Sequence, residues 1–334
     1  MNIDTNNEKL SRKEFLLRCS KAGLSIAAAC SLCYWFYDPS GPGRSLKRHN
    51  AVSLPDFSIP GLKGKMSVVR ASKGSDRIKT IQLALKALGG IEAFIKKGDR
   101  VLLKVNAAFA SPPILSATTH PQLVEEVTCL CLKAGASKVV VTDNPINDPV
   151  SCFALTGIGH AARSAGAQVM LPRDEFFKYT TIPNAKLIKN WPLLYEPFKG
   201  VNKAIGMAPI KNHHRAGASM TMKNWYGLLG GRRNIFHQDI HTIIKELAMM
   251  VTPSLVILDG TTTMMTNGPT GGSLSDLKQT NTMIVSTDQV AADAFGATLL
   301  GKNVDELPYI AKAEAMGVGI ADYRSLKPVM ISAD

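Results

Sequence analysis

The chain predicts an α/β fold, a mostly parallel sheet flanked by helices in the Rossmann-like manner, and three observations carry that prediction. β-branched runs alternate with segments of helical periodicity from residue 66 onward. Glycine pairs such as Gly98-Asp99, Gly135-Ala136 and Gly166-Ala167 fall between a helix and the next strand, where a C-cap and short loop belong. The 334 residues, 45% apolar and 19% charged, suffice for a substantial core in one large domain or two lobes.

The elements follow in order. Strands are expected at 68–71, 100–105, 138–142, 168–171, 203–209, 255–259 and 282–286, and helices at 76–88, 121–134, 153–165, 235–251, 288–300 and 304–316. Strand–helix alternation of this kind puts helices on both faces of a parallel sheet. The stretch 176–202, with Trp191, three prolines and little periodicity, reads as a long connection or excursion.

Ahead of this body, residues 1–37 read as an export signal or membrane anchor and 38–65 as a linker or irregular lead-in, leaving 66–334 as the α/β domain. Lys9, Arg12, Lys13, Arg18 and Lys21 precede the apolar run 22–37, and Asp38-Pro39-Ser40-Gly41-Pro42-Gly43 then breaks regular structure. Ala27-Ala28-Ala29 is the cleavage candidate for an exported, periplasmic protein; an uncleaved segment would anchor the domain facing outward. Continuous apolar runs elsewhere are too short for a polytopic membrane protein.

The net charge is +13, and beyond residue 50 the chain still holds 31 basic against 22 acidic residues. Such a balance favours an anionic partner. Seven tyrosines and three tryptophans, without aromatic interleaving of a basic strip, argue against nucleic acid, which leaves a small anionic ligand as the expected partner. Cys129, Cys131 and Cys152 lack CxxC spacing and read as small hydrophobes rather than cluster ligands.

Seven cations, one acid and four of the seven histidines lie between residues 199 and 241. Lys211-Asn212-His213-His214-Arg215 follows a predicted strand, at the edge where open α/β sheets bind ligands. Lys211, Arg215 and Lys223 suit an anion, with Asn224 beside them, and His213 suits proton transfer near neutrality. Arg232-Arg233 reads as a rim contact. His237 and His241, four apart at a helix start, are candidates for a metal ion or for acid–base service. Lys104 and Asn106 share a strand face, and His120 ends the loop that follows, where Thr118-Thr119-His120-Pro121 also reads as an N-cap. Gly268 and Gly271 belong to a glycine-rich loop whose amides suit an anion. His120, Lys211, His213, Lys223 and His237 are therefore expected in one cleft.

Taken together, Lys104-Val105-Asn106, Thr118-Thr119-His120-Pro121, Val139-Val140-Val141-Thr142-Asp143, Lys211-Asn212-His213, Thr221-Met222-Lys223-Asn224 with Gly227, His237, Asp259-Gly260, Gly268-Pro269-Thr270-Gly271 and Asp288-Gln289-Val290-Ala291-Ala292-Asp293 resemble the domain of unknown function 362 family, in colinear order. The resemblance implies a bacterial or archaeal α/β protein, often exported. Some relatives carry ferredoxin-type cysteine motifs, which this chain lacks. Ser11-Arg12-Lys13-Glu14-Phe15-Leu16 resembles a twin-arginine export motif, with Lys13 at the second arginine's place, and implies a ligand inserted before export. A more distant likeness to the lactate racemase fold leaves function open. The combined expectation is an enzyme acting on a small carboxylate or phosphate compound through Lys/His acid–base and anion-binding residues, the alternative being a non-catalytic binder of an anion, metal or metallated cofactor.

Overall fold

In the computed structural model residues 11–36, 51–72 and 76–333 are described. Lys9, the Pro/Gly break at 38–43 and the first part of the 38–65 lead-in lie outside the described residues. Two compact units are present, 1–49 and 50–334. The first holds α1 (Arg12–Phe36), long and apolar enough by length and composition to cross a membrane.

Of the one-domain and two-lobe alternatives, residues 50–334 form a single unit. Its elements are β1 (Met66–Ala71), α2 (Arg77–Lys86), β2 (Arg100–Lys104), α3 (Pro121–Lys133), β3 (Lys138–Thr142), α4 (Pro149–Leu155), α5 (Ile158–Ser164), β4 (Gln168–Val169), β5 (Phe177–Thr180), β6 (Trp191–Leu194), β7 (Lys203–His213), β8 (Gly217–Ser219), α6 (Thr221–Asn224), α7 (Ile240–Met250), β9 (Leu255–Met264), β10 (Leu277–Ser286), α8 (Gln289–Leu299), α9 (Pro308–Ala315) and β11 (Val329–Ala333). The main sheet runs β11-β1-β10-β9-β7-β2-β3-β4, with β8 pairing β7. The β1–β11, β2–β3, β2–β7, β3–β4 and β7–β9 pairs are parallel; β1–β10, β9–β10 and β7–β8 are antiparallel. The expected mostly parallel α/β sheet is thus present, with antiparallel insertions.

Strand alternation sorts the core into two layers. Val101 and Leu103 point to the face covered by α2, α3 and α5, while Leu102 points to the face covered by α7 and α8. Ile240, Ile243, Ile244, Leu247 and Ala248 form the buried stripe of α7, spaced as a core-facing helix requires. The segment before β1 packs too: Phe57 is 1% exposed and its carbonyl accepts a hydrogen bond from Ser254 Oγ.

Several boundaries differ from expectation: β9 and β10 extend beyond 255–259 and 282–286 because they pair antiparallel along their length, the helix expected from 235 starts at Ile240 after a 3₁₀ turn, and β11 joins the sheet edge where no strand was expected. The helix expected over 153–165 is two, because Gly157 takes φ +72° between α4 and α5. The expected strand 203–209 continues to His213, since β8 folds back on its end. The stretch 176–202 contains the β5–β6 hairpin, tied to the body by a bridge between Leu193 and Leu229.

Candidate functional site

Parallel β2, β3 and β7 end at one edge of the sheet, where the connections after them enclose a cavity of about 990 Å³. Lys211 and His213 lie two residues apart near the end of β7 and both line it, as do Lys223 and Asn224 of α6, His237, and Asn106 after β2. Thr119 Oγ1 accepts from the Asn106 amide at 2.8 Å and donates to the Met207 carbonyl at 2.9 Å, which stitches the 106–120 loop across β7. Lys211, His213, Lys223 and His237 therefore meet, as expected.

The two lysines differ from ordinary surface cations. Lys211 is 1% exposed, donates to the Ala117 carbonyl at 2.6 Å and stands 5.3 Å from the Phe109 ring centre. Burial, then repulsion by Lys223, lowers its pKa to about 7. Lys223, half-buried and 5.3 Å from the Tyr226 ring centre, is lowered to about 8 by burial and then by Arg233. Among the described residues neither has a carboxylate within ion-pair distance. Two desolvated ammonium groups thus share a cavity in which Asp143, already paired with Lys104, is a carboxylate acting on Lys211 from beyond ion-pair distance.

The imidazoles have definable tautomers. His213 Nδ1 accepts from the backbone amides of Arg215 and Ala216, both at 3.2 Å, so its proton sits on Nε2. Burial, then Lys223, lowers His213 to about 2. Its role narrows accordingly from the expected acid–base service to that of a neutral N–H donor. Tyr226 gives its single proton to the Arg233 carbonyl at 2.6 Å, so His237 Nδ1, 3.2 Å from both Tyr226 Oη and the Asn234 carbonyl, holds the proton there. His237 Nε2 is left as an acceptor. The His213 ring stacks between His214, at 5.0 Å, and His237, at 6.1 Å.

Several expected contributors stand elsewhere or have their polar groups consumed within the protein. Lys104 is fully buried behind the cavity and spends its charge on Asp143 Oδ1, 2.9 Å away, and on Asn224 Oδ1, also at 2.9 Å. Asn224 Nδ2 donates to the Lys104 and Met207 carbonyls, so its amide is consumed too. Arg215 is exposed on the β7–β8 turn, outside the cavity lining. His120 caps α3, its Nδ1 accepting from Gln122 N at 3.3 Å; burial, then Arg77, lowers it to about 4 beside the Arg77–Asp259 pair. His120 is therefore spent on the helix cap beside Arg77 and Asp259 and does not line the cavity.

The glycine loop presents no amide cradle. Gly271 N donates within the loop to the Asn267 carbonyl at 2.9 Å, and Gly268 offers its carbonyl to His214 Nδ1 at 3.3 Å; Pro269 and Thr270 are what reach the cavity. His237 and His241 do not converge, because a 3₁₀ turn over Arg233–Asp239 changes the helical phase before α7 and His241 stacks on Tyr309. Among the described residues no group of three or more His, Cys, Asp or Glu is placed to hold a metal ion. Cys131 and Cys152 are buried, which raises their thiols to about 12 and about 11.

Two residues had no clear sequence signal for their roles, while Asn106, expected among the ligand-binding residues, lines the cavity. Arg233 is no rim contact: its Nη atoms donate to the Tyr226, Leu229, Asn144 and Pro145 carbonyls at 2.7–3.2 Å and clamp the post-β3 loop to the post-α6 turn. Asp293 of α8 is fully buried and accepts from Thr221 N at 2.8 Å and Met222 N at 3.2 Å, fixing the start of α6 and hence Lys223. Asn106 is 8% exposed and its Oδ1 has no partner.

The chain is 25% identical over 249 residues to a thylakoid-associated protein of Synechocystis sp., covering 72% of this chain and 75% of that one. The lactate racemase apoprotein of Thermoanaerobacterium thermosaccharolyticum superposes with a TM-score of 0.40 at 14% identity over 77% of this chain, which spans 60% of the length of that structure. The family described as domain of unknown function (DUF362) matches residues 101–298, the span from β2 through α8 that builds the cavity, and the chain belongs to that family.

Proposed function

We propose that the protein is an exported enzyme that binds a small carboxylate or phosphate compound in this cavity and transfers a proton on it. The observation that supports the reading best is the pair Lys211 and Lys223, two ammonium groups lining one cavity without a carboxylate in ion-pair distance among the described residues. An anion between them relieves their repulsion and raises both pKa values. His213 Nε2–H then donates to the anion as a neutral group, and His237 Nε2 accepts a proton from an adjacent position, passing positive charge to a ring whose Nδ1–H is held by the Asn234 carbonyl.

The test has two readouts. Acetate and inorganic phosphate should bind the purified full chain in calorimetry, more weakly in Lys223→Met. A carboxylate bound in deuterium oxide should exchange hydrogen next to the carboxyl group, detected by nuclear magnetic resonance, and His237→Gln should abolish that exchange without abolishing binding. Binding without exchange across a carboxylate panel reduces the protein to the non-catalytic alternative; absence of binding removes the anion reading.

For location, α1 supports either an export signal or an outward-facing membrane anchor, and the thylakoid association of a relative favours a membrane-proximal place. N-terminal sequencing of fractionated cells decides it: a start beyond residue 29 supports cleavage, the intact chain in membranes supports the anchor, and the intact chain in the cytosol alone rejects export.

A further inference from the structure

The cavity is much larger than its cations require. Volumes of roughly 300–1,000 Å³ enclose drug-sized ligands, and at about 990 Å³ this one lies at the top of that range. The space away from the lysines is walled by a different set of elements. Phe177 and Tyr179 come from β5, Pro192 from β6, and Pro145 and Ile146 from the loop after β3. Ile146 is 66% exposed and Tyr179 37%, so this wall continues to the mouth as an apolar lip. Its faces are flat: two aromatic rings and two prolines. Space for the Phe177 ring is kept by Gly230, where a Cβ would lie 2.7 Å from the ring carbons.

We propose that the ligand is an anion with an aromatic body, a carboxylate or phosphate joined to a flat ring system through at least one hydrogen-bearing carbon, with the charge between Lys211 and Lys223 and the ring against Phe177 and Pro192; ring-bearing anions without that carbon serve as binding probes only. The inference rests on the anion reading above and extends it to the ligand's body. Flat ligand rings pack face-on against aromatic and proline surfaces, whereas a flexible acyl chain loses rotational freedom to occupy the same wall. Burying a two-ring body removes apolar surface from water and adds to the charge contact.

Calorimetry on the full chain tests it with four probes: acetate, octanoate, 1-naphthoate and 1-naphthyl phosphate. The expected result is that a naphthyl anion binds at least about tenfold more tightly than acetate or octanoate, the two naphthyl probes telling carboxylate from phosphate. Phe177→Ala and the exposed-site change Ile146→Ser should each lose about fivefold of naphthyl affinity and leave acetate unchanged. Octanoate binding as tightly as naphthoate overturns the ring assignment, and acetate binding as tightly as naphthoate overturns the apolar wall as a ligand surface; both leave the anion reading standing. If Lys223→Met leaves naphthyl affinity unchanged, or if no probe binds, the anion reading itself falls and this extension falls with it.

Discussion

Lys104 Nζ stands 2.9 Å from Asp143 Oδ1 with both side chains buried, and Gly227 lies so close that a Cβ there would collide with the Asp143 carboxylate. The pair is the electrostatic floor of the cavity. Lys104 also donates to the Val105 and Asn224 carbonyls at 2.6 and 2.7 Å, while Asp143 Oδ2 accepts from the Ala107 amide at 2.6 Å. Strand ends β2 and β3, the 106–120 loop and α6 therefore share one ion pair, and the charge of Lys104 is spent inside the protein.

Lys104→Met should leave Asp143 buried and unpaired and lower stability by about 3–5 kcal/mol, read from urea unfolding. The double change Lys104→Met with Asp143→Leu should recover a large part of that loss. An equal loss in the double variant would mean that packing, rather than uncompensated charge, dominates the site.

Lys223→Met should behave in the opposite way. Its ammonium is repelled by Arg233 and lies near Lys211, so removal leaves folding stability unchanged or slightly raised while weakening anion binding by about 1.5–3 kcal/mol, roughly tenfold to a hundredfold. Thermal unfolding and calorimetry on one preparation separate the two effects. A marked loss of stability would show Lys223 to be a structural partner.

Stability should rise with pH between about 7 and 8.5. Lys211 titrates near 7 when folded and near 10.4 when unfolded, so in this window the unfolded chain binds a proton that the folded chain does not. The slope is at most about 1.4 kcal/mol per pH unit for each proton, and Lys223, lowered to about 8, adds to it with the same sign in the upper part of the window. Below this window His213 and Asp293, shifted to about 2 and about 7, act in opposite senses, and above it the buried thiols of Cys131 and Cys152 oppose the rise. Lys211→Met should reduce the slope, and Lys211→Met with Lys223→Met should flatten the profile. A flat profile in the unaltered protein would mean that water or an anion keeps Lys211 charged.

The unpartnered Oδ1 of Asn106 lines the cavity as an acceptor open to a donor from water or from the ligand. Glycolate should accordingly bind more tightly than acetate, and Asn106→Leu should abolish that preference at a cost of about 1–3 kcal/mol to glycolate alone, while thermal stability holds or increases because a desolvated acceptor has been removed. Equal affinity for the two acids in the unaltered protein would place the ligand's donors elsewhere.

Local pattern settled the elements of this protein before any contact was known. The β-branched runs of β2, β3, β7 and β9, the apolar stripe of α7 and the glycines between helix and strand are short-range signals, and strand–helix alternation converts them into a parallel sheet. The concentration of Lys211, His213, Lys223 and His237 was legible for the same reason, since each lies just past a strand or beside a helix start at the ligand-binding edge. What each charged group does was decided only by tertiary partners. Lys104 and Lys223 are both lysines at strand or helix ends, yet the first meets Asp143 and the second meets an open cavity. His120 looked equivalent to His213, but it caps α3 beside Arg77 and Asp259. The apolar wall came from the weakly patterned stretch 176–202, because β5 and β6 owe their places to cross-strand pairing and to the Leu193–Leu229 bridge, long-range contacts that leave no periodicity in the chain. Sequence spacing determines which edge of the sheet a residue reaches; burial and the neighbour it meets there determine whether its charge is free to bind anything, because desolvation and Coulomb energy depend on distances across the fold.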